Sequence, residues 1–292
     1  MKFNFTSGAD LLRICKENNM AIHEVCLERE SELSGLSKED VREKMRVSLN
    51  IMKDATEKAI REDIKSMGGL IGGEAKKITN RRLSGKTVVG SLMSKAIAAA
   101  MGTMEVNASM GLIVAAPTAG SCGILPGAVV TIGKEYELSD EEMLDALFAA
   151  SAIGVIITRN ATVAGAEGGC QAETGAAAGM AAAGVVEMMG GSPEEALHAA
   201  SHCLQNVLGL VCDPIAGLVE APCQGRNAIG VANALLSAEI SLAGVPNIIP
   251  FDENVEAMYK VGKALPMELR ETALGGCAAT CTGCSITKRI FG

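Results

Sequence analysis

Three loops carry the residues most able to do chemistry. The first runs Ala116-Pro117-Thr118-Ala119-Gly120-Ser121-Cys122-Gly123-Ile124-Leu125-Pro126-Gly127. It precedes an apolar helix, so helix-start amides with the Thr118 and Ser121 hydroxyls are able to hold a carboxylate. A tight helix–helix turn with an N-cap reads the same way. The second runs Arg159-Asn160-Ala161-Thr162-Val163-Ala164-Gly165-Ala166-Glu167-Gly168-Gly169-Cys170-Gln171-Ala172-Glu173. Arg159 can pair a carboxylate in a bidentate fork. Glu167 and Glu173 flank Cys170 and suit acid–base or supporting roles, or are solvated charges at a helix end. The third spans Cys212-Asp213-Pro214 to Pro222-Cys223-Gln224-Gly225-Arg226-Asn227-Ala228, with ten residues between its cysteines. Metal binding and buried free thiols both fit that spacing.

Such loops need helices to position them, and the pattern is helical almost throughout. Apolar positions Val41, Met45, Leu49, Met52, Ala55, Ala59, Ile60, Ile64 and Met67 recur at steps of three and four. They predict one amphipathic helix, capped near Ser37 and ended by Gly68-Gly69. Ser139-Asp140-Glu141-Glu142 and Ser192-Pro193-Glu194-Glu195 have capping-box spacing. Asp252 is expected to cap a helix running to about Ala264. Leu112-Ile113-Val114 is a short strand or a buried helix turn. The fold expected is mainly α: a multi-helix catalytic domain over residues 1–292, its site at interhelical loops. An N-terminal helical segment, 1–67, is joined to it by a Gly-rich stretch, 68–90, that is a linker or a mobile active-site loop.

Composition agrees and excludes several classes. Of 292 residues 48% are hydrophobic but 2% aromatic, with no Trp, so the core is built from Ala, Leu, Ile, Val and Met. A net charge of −8 without a basic stripe argues against nucleic acid as partner. Leu147–Ile157 is too short to span a bilayer, and Gly175–Met189 contains Glu187. No apolar signal-peptide segment opens the chain, so a cytoplasmic protein is expected. Ten cysteines there point to metal, catalysis or core filling rather than disulfides.

The strings Ala166-Glu167-Gly168-Gly169-Cys170-Gln171-Ala172-Glu173, Cys212-Asp213-Pro214 and Pro222-Cys223-Gln224-Gly225-Arg226-Asn227-Ala228, with the Pro117-Thr118-Ala119-Gly120 loop, resemble the iron–sulfur-dependent L-serine dehydratase family. The similarity runs from about Ser7 to Gly276. It implies an L-serine ammonia-lyase of amino-acid catabolism that makes pyruvate and ammonia. It also implies a [4Fe-4S] cluster on Cys170, Cys212 and Cys223, with one iron left open as a Lewis acid for the serine hydroxyl. A base would take the Cα proton, and aminoacrylate would go through an imine to pyruvate. Ser121, Glu167 and a lysine of the 68–90 stretch are the candidate bases. Thr118, Ser121, Arg159 and Asn160 are the expected substrate contacts. Relatives with one chain carry a regulatory domain ahead of this unit. This chain resembles the alpha chain of the two-chain form, which implies a separate beta chain as partner.

Other motifs compete for attention. The tail Cys277-x3-Cys281-x2-Cys284 has radical S-adenosylmethionine spacing, but eight residues follow it, too few for the barrel that chemistry needs. Some single-chain relatives end in a cysteine that folds back onto the open iron. Cys284 sits at a comparable place and is a candidate fourth ligand in the resting state. His198 and His202 share a helix face, but residue 199 is Ala, so a zinc-protease site is not expected. Cys15, Cys26 and Cys203 are expected to fill the core. Two further functions remain open: a related cluster-dependent L-cysteine desulfidase, and a non-catalytic iron–sulfur redox subunit. No lysine–glycine constellation of pyridoxal-phosphate type is evident.

Overall fold

The structure, a computed structural model, describes residues 2–292. Thirteen α-helices follow one another along them: α1 Gly8–Asn18, α2 Ile22–Ser34, α3 Lys38–Arg61, α4 Glu74–Leu83, α5 Gly90–Ala108, α6 Ile124–Glu135, α7 Asp140–Asn160, α8 Gly165–Gly168, α9 Ala176–Met188, α10 Pro193–Asn206, α11 Cys223–Leu242, α12 Phe251–Ala264 and α13 Cys281–Phe291. Among the described residues there is no strand beyond one isolated parallel bridge between Cys212 and Arg270. The fold is mainly α, as the helical periodicity predicts.

The Ala-rich helix α9 lies at the centre. Every residue from Ala176 to Val186 is buried. Helices α6, α7, α10 and α11 pack around it. Small side chains let backbones approach closely, which explains how a core with so few aromatic residues closes. The N-terminal helices join the same core: Leu11, Ile22, Val25 and Leu49 are fully buried in it. Cys15, Cys26 and Cys203 fill this core as expected. No helix among the described residues is long and apolar enough to cross a membrane.

Helix starts follow the local chemistry. Ser139 caps α7 and Ser192 caps α10, each in a reciprocal box with a glutamate three residues on. Ser37 caps α3, accepting from Asp40 N. Three expectations need correction. Helix α3 stops at Arg61, not Met67, because the following backbone is drawn away: Gly68 N and Leu70 N donate to the Glu220 carboxylate, at 2.6 and 2.9 Å. Asp252 does not cap α12, which begins after Pro250. Its carboxylate instead accepts from Gly8 N (2.6 Å) and Ala9 N (3.1 Å), so it closes the first turn of α1. Leu112–Val114 is irregular chain, neither strand nor helix.

The stretch 68–90 contains helix α4, which packs on α5. Its N-terminus is anchored by Glu105, fully buried, which accepts from Gly73 N at 3.0 Å, Ala75 N at 2.9 Å and Gln224 Nε2 at 3.1 Å. Burial raises the pKa of Glu105, and the two amides oppose that rise. Glu105→Ala strips three donors, two of them buried, of their acceptor and is expected to cost about 1–3 kcal/mol, read as a lower urea midpoint.

His23 on α2 meets Glu187 on α9 through Nδ1 and Asp145 on α7 through Nε2. Burial opposes its charge, but the Glu187 hydrogen bond and both carboxylate charges outweigh that and raise its pKa. The stabilisation is therefore complete below the unfolded pKa of about 6.5 and fades as pH rises through the higher folded value. Urea midpoints of the native chain and His23→Gln are expected to differ most near pH 5.5 and to converge with rising pH. A constant difference would contradict this.

Candidate active site

Cys170 lies where a short helix turns into α9. Helix α8 ends at Gly168, and Gln171–Gly175 form a π-helical turn that runs on into α9. Such wide turns re-aim side chains and recur at functional sites. Gln171 fixes the turn: its Nε2 donates to Gly168 O and Met258 O, both at 2.9 Å, and its Oε1 accepts from Gly209 N at 2.9 Å. Cys212 is held by its backbone, with N donating to Leu269 O (2.9 Å) and O accepting from Glu271 N (2.8 Å). Cys223 is the first residue of α11. All three thiols are free and buried, at 5%, 3% and 8% exposure.

The Thr118–Gly123 loop closes against them. Asn227, one turn past Cys223, accepts from Gly123 N at 2.9 Å and donates to Gly120 O at 2.8 Å and Cys223 O at 3.0 Å. Thr118 Oγ1 donates to Glu173 Oε1 at 2.7 Å and lies 3.1 Å from Ser121 Oγ. Glu173 Oε2 lies 3.9 Å from Cys212 Sγ. Thr174 Oγ1 is 3.1 Å from Cys170 Sγ. Gly165 leaves room beside them: a Cβ there would lie 2.7 Å from Glu173 Oε2 and 3.0 Å from Cys212 Sγ, so a larger residue would displace one of the two.

Burial dominates the electrostatics. It raises all three thiol pKa values, Cys223 to about 12. The three are electrostatically linked: charge on Cys170 raises Cys212 and Cys223, and charge on Cys223 raises Cys212. The Arg226 guanidinium opposes these effects at Cys170 and Cys223. Burial also raises Glu173, against the Thr118 hydrogen bond. These thiols stay protonated unless something positive binds them. Among the described residues no group of three His, Cys, Asp or Glu closes tightly enough for a single metal ion.

The expected site residues thus fall into two sets. Thr118, Ser121, Cys170, Cys212 and Cys223 come together around Glu173. Arg159 is exposed and lines a shallow depression beside Pro117. Asn160 Nδ2 is spent on Thr6 O and Ile156 O, at 2.7 and 2.9 Å. Glu167 is exposed on α8. In the 68–90 stretch Lys76 pairs with Asp63 and Lys77 with Glu74. Cys284 is exposed at the start of α13, its Sγ 3.9 Å from Ala278 O. His198 and His202 meet Asn247, a structural use. Arg226, Asp213 and Asn227 were not among the expected site residues, although a signal existed. Arg226 and Asn227 fall three and four residues after Cys223, on its own helix face.

A mainly helical enzyme-like scaffold with three buried thiols and a carboxylate at its interhelical loops is the class that fold and site define. The match to the family model of the serine dehydratase alpha chain covers residues 17–278, and the chain belongs to that family. It is 46% identical to the probable L-serine dehydratase, alpha chain, of Bacillus subtilis (strain 168), over 99% of this chain and 96% of that one. It is 47% identical to the L-serine dehydratase, alpha chain, of Peptoniphilus asaccharolyticus, over 97% of each. L-serine dehydratase 2 of Escherichia coli (strain K12) is 33% identical over 97% of this chain, which spans 63% of that longer protein.

Proposed function

We propose that this chain is the catalytic alpha chain of an L-serine ammonia-lyase, converting L-serine to pyruvate and ammonia in the cytoplasm. The observation that carries the reading is the convergence of Cys170, Cys212 and Cys223 with Glu173, Thr118 and Ser121, in a chain of this family. The donor set fits a [4Fe-4S] cluster: all sulfur, soft, buried, and flanked by a guanidinium that offsets anionic charge. A cluster is broader than one ion and joins thiolates that do not share a single point. Cys170, Cys212 and Cys223 would hold it, and when bound it supplies a Lewis acid for the serine hydroxyl.

The rest falls to the chain's own groups. Glu173 is the group proposed to take the Cα proton, at its Oε2, which faces Gly165 and Cys212. Thr118 holds the other carboxylate oxygen, and Ser121 extends that hydroxyl chain. The Thr118–Gly123 loop receives the substrate carboxylate, and burial keeps bulk water from the aminoacrylate product. A single catalytic domain over residues 1–292 and assembly with a beta chain complete the proposal, the latter supported by the alpha-chain names of the two nearly full-length relatives above.

The test compares pyruvate formed from L-serine and L-cysteine by the iron-loaded chain with its beta chain. Serine is expected to be the better substrate by kcat/KM. A strong preference for cysteine would move the assignment to a desulfidase. Reversible reduction with pyruvate from neither would move it to a redox subunit.

A further inference from the structure

We propose that Arg226 is a positioning residue of the thiol site, its free guanidinium nitrogen donating to the Cys170 sulfur once that sulfur is metal-bound. The assignment rests on the cluster reading above. Arg226 stands on α11, one turn after Cys223, and its side chain is 10% exposed. One arm is committed: Nη2 donates to Asp213 Oδ1. The other nitrogen, Nη1, is buried and has no hydrogen-bond partner among the described residues. A buried donor without an acceptor is costly, more so when it is charged. An acceptor is therefore missing on that side. Beyond Asp213, the groups beside the guanidinium are the Cys170 and Cys223 thiols. A protonated thiol is a weak acceptor, whereas a ligating thiolate is a good one. The free nitrogen thus gains its partner when the site is loaded.

Asp213 carries the arrangement outward. It is 2% exposed and its Oδ2 accepts from Cys277 N at 2.6 Å. Gly276 presses on the same carboxylate, where a Cβ would come within 2.2 Å of Oδ2, at a φ of +57°. Arg226 and Asp213 therefore tie the Gly276–Cys277 turn of the tail to the thiol site. The same pair aims the guanidinium, as an orienting carboxylate does for a metal-ligating histidine.

The experiment reconstitutes the full chain anaerobically with iron and sulfide. It reads iron content, the rate of iron release to a chelator, and the cluster's reduction potential. Arg226→Gln is expected to release iron faster, by about 10- to 100-fold. Its potential should be lower, because a cation beside the cluster favours the reduced, more negative form. Arg226→Lys should restore most of the potential but not the slow release, since it keeps the charge and loses the fork. Thermal melting of the iron-free chains checks folding. If Arg226→Gln fails to fold with Asp213 unpaired, Asp213→Asn with Arg226→Gln removes both charges and should still release iron faster, with a smaller shift in potential because loss of the Asp213 anion offsets loss of the cation. A native-like potential and release rate in Arg226→Gln, or a native-like release rate in the double variant, would overturn the assignment while leaving the cluster intact. A native chain that takes up no iron would overturn the cluster reading, and this assignment with it.

Discussion

Cys170→Ala, Cys212→Ala and Cys223→Ala are each expected to abolish stable iron binding and, with it, pyruvate formation. Loss of an outer supporting group costs about 10- to 100-fold in metal affinity, so loss of a direct ligand is expected to cost more. Nothing nearby replaces these thiols: Cys122 is buried against Met104, and Cys277, Cys281 and Cys284 are exposed. Iron-free variants should keep their melting temperatures within a few degrees, because a buried thiol replaced by a methyl loses little packing. Cys284→Ala is expected to retain the cluster, since its side chain stands at the exposed start of α13. The measurement is iron and sulfide per chain beside the serine assay. Full iron without Cys170, Cys212 or Cys223 would remove that residue from the ligand set.

Glu173→Gln is expected to keep the cluster and lose the reaction. The amide has the carboxylate's shape and can still accept from Thr118 Oγ1, but it takes no proton. General-base contributions run at about 10²- to 10⁴-fold, so kcat should fall by that factor with KM changed little. Glu167→Gln, a change at an exposed α8 side chain, should leave kcat within a few-fold. A structural role for Glu173 would show instead as a shared fall in iron content, melting temperature and activity. Equal kcat in Glu173→Gln and the native chain would remove it from proton transfer and return attention to Ser121.

What the sequence made legible was what short-range chemistry decides. Ser139 and Ser192 cap their helices through glutamates three residues away, and those starts fall where the pattern puts them. Errors arose where a distant side chain intervened. The end of α3 is set by Glu220, whose carboxylate accepts from the Ser66 hydroxyl and the Gly68 and Leu70 amides. Asp252 looks like the cap of the helix it belongs to, yet serves α1 at the far end of the chain.

The site divides in the same way. Cys170, Cys212 and Cys223 stand in recognisable strings, but no periodicity joins them, and three loops of the fold bring them together. Arg159 matched the expected carboxylate fork by type, and it lies exposed at the end of α7. The buried arginine at the thiols is Arg226, whose place on the Cys223 face of α11 was readable from helical spacing. Glu173 was visible as a flanking carboxylate. The π-turn aims it between Thr118 and Cys212, which no spacing in the sequence could show.

The most direct test of the central claim titrates iron and sulfide into the anaerobic chain with its beta chain present, following pyruvate from L-serine at each step. Activity is expected to be absent in the iron-free protein and to rise with bound iron until the [4Fe-4S] complement is full. Pyruvate made at full rate by the iron-free protein, or none made by the fully loaded one, would contradict the account.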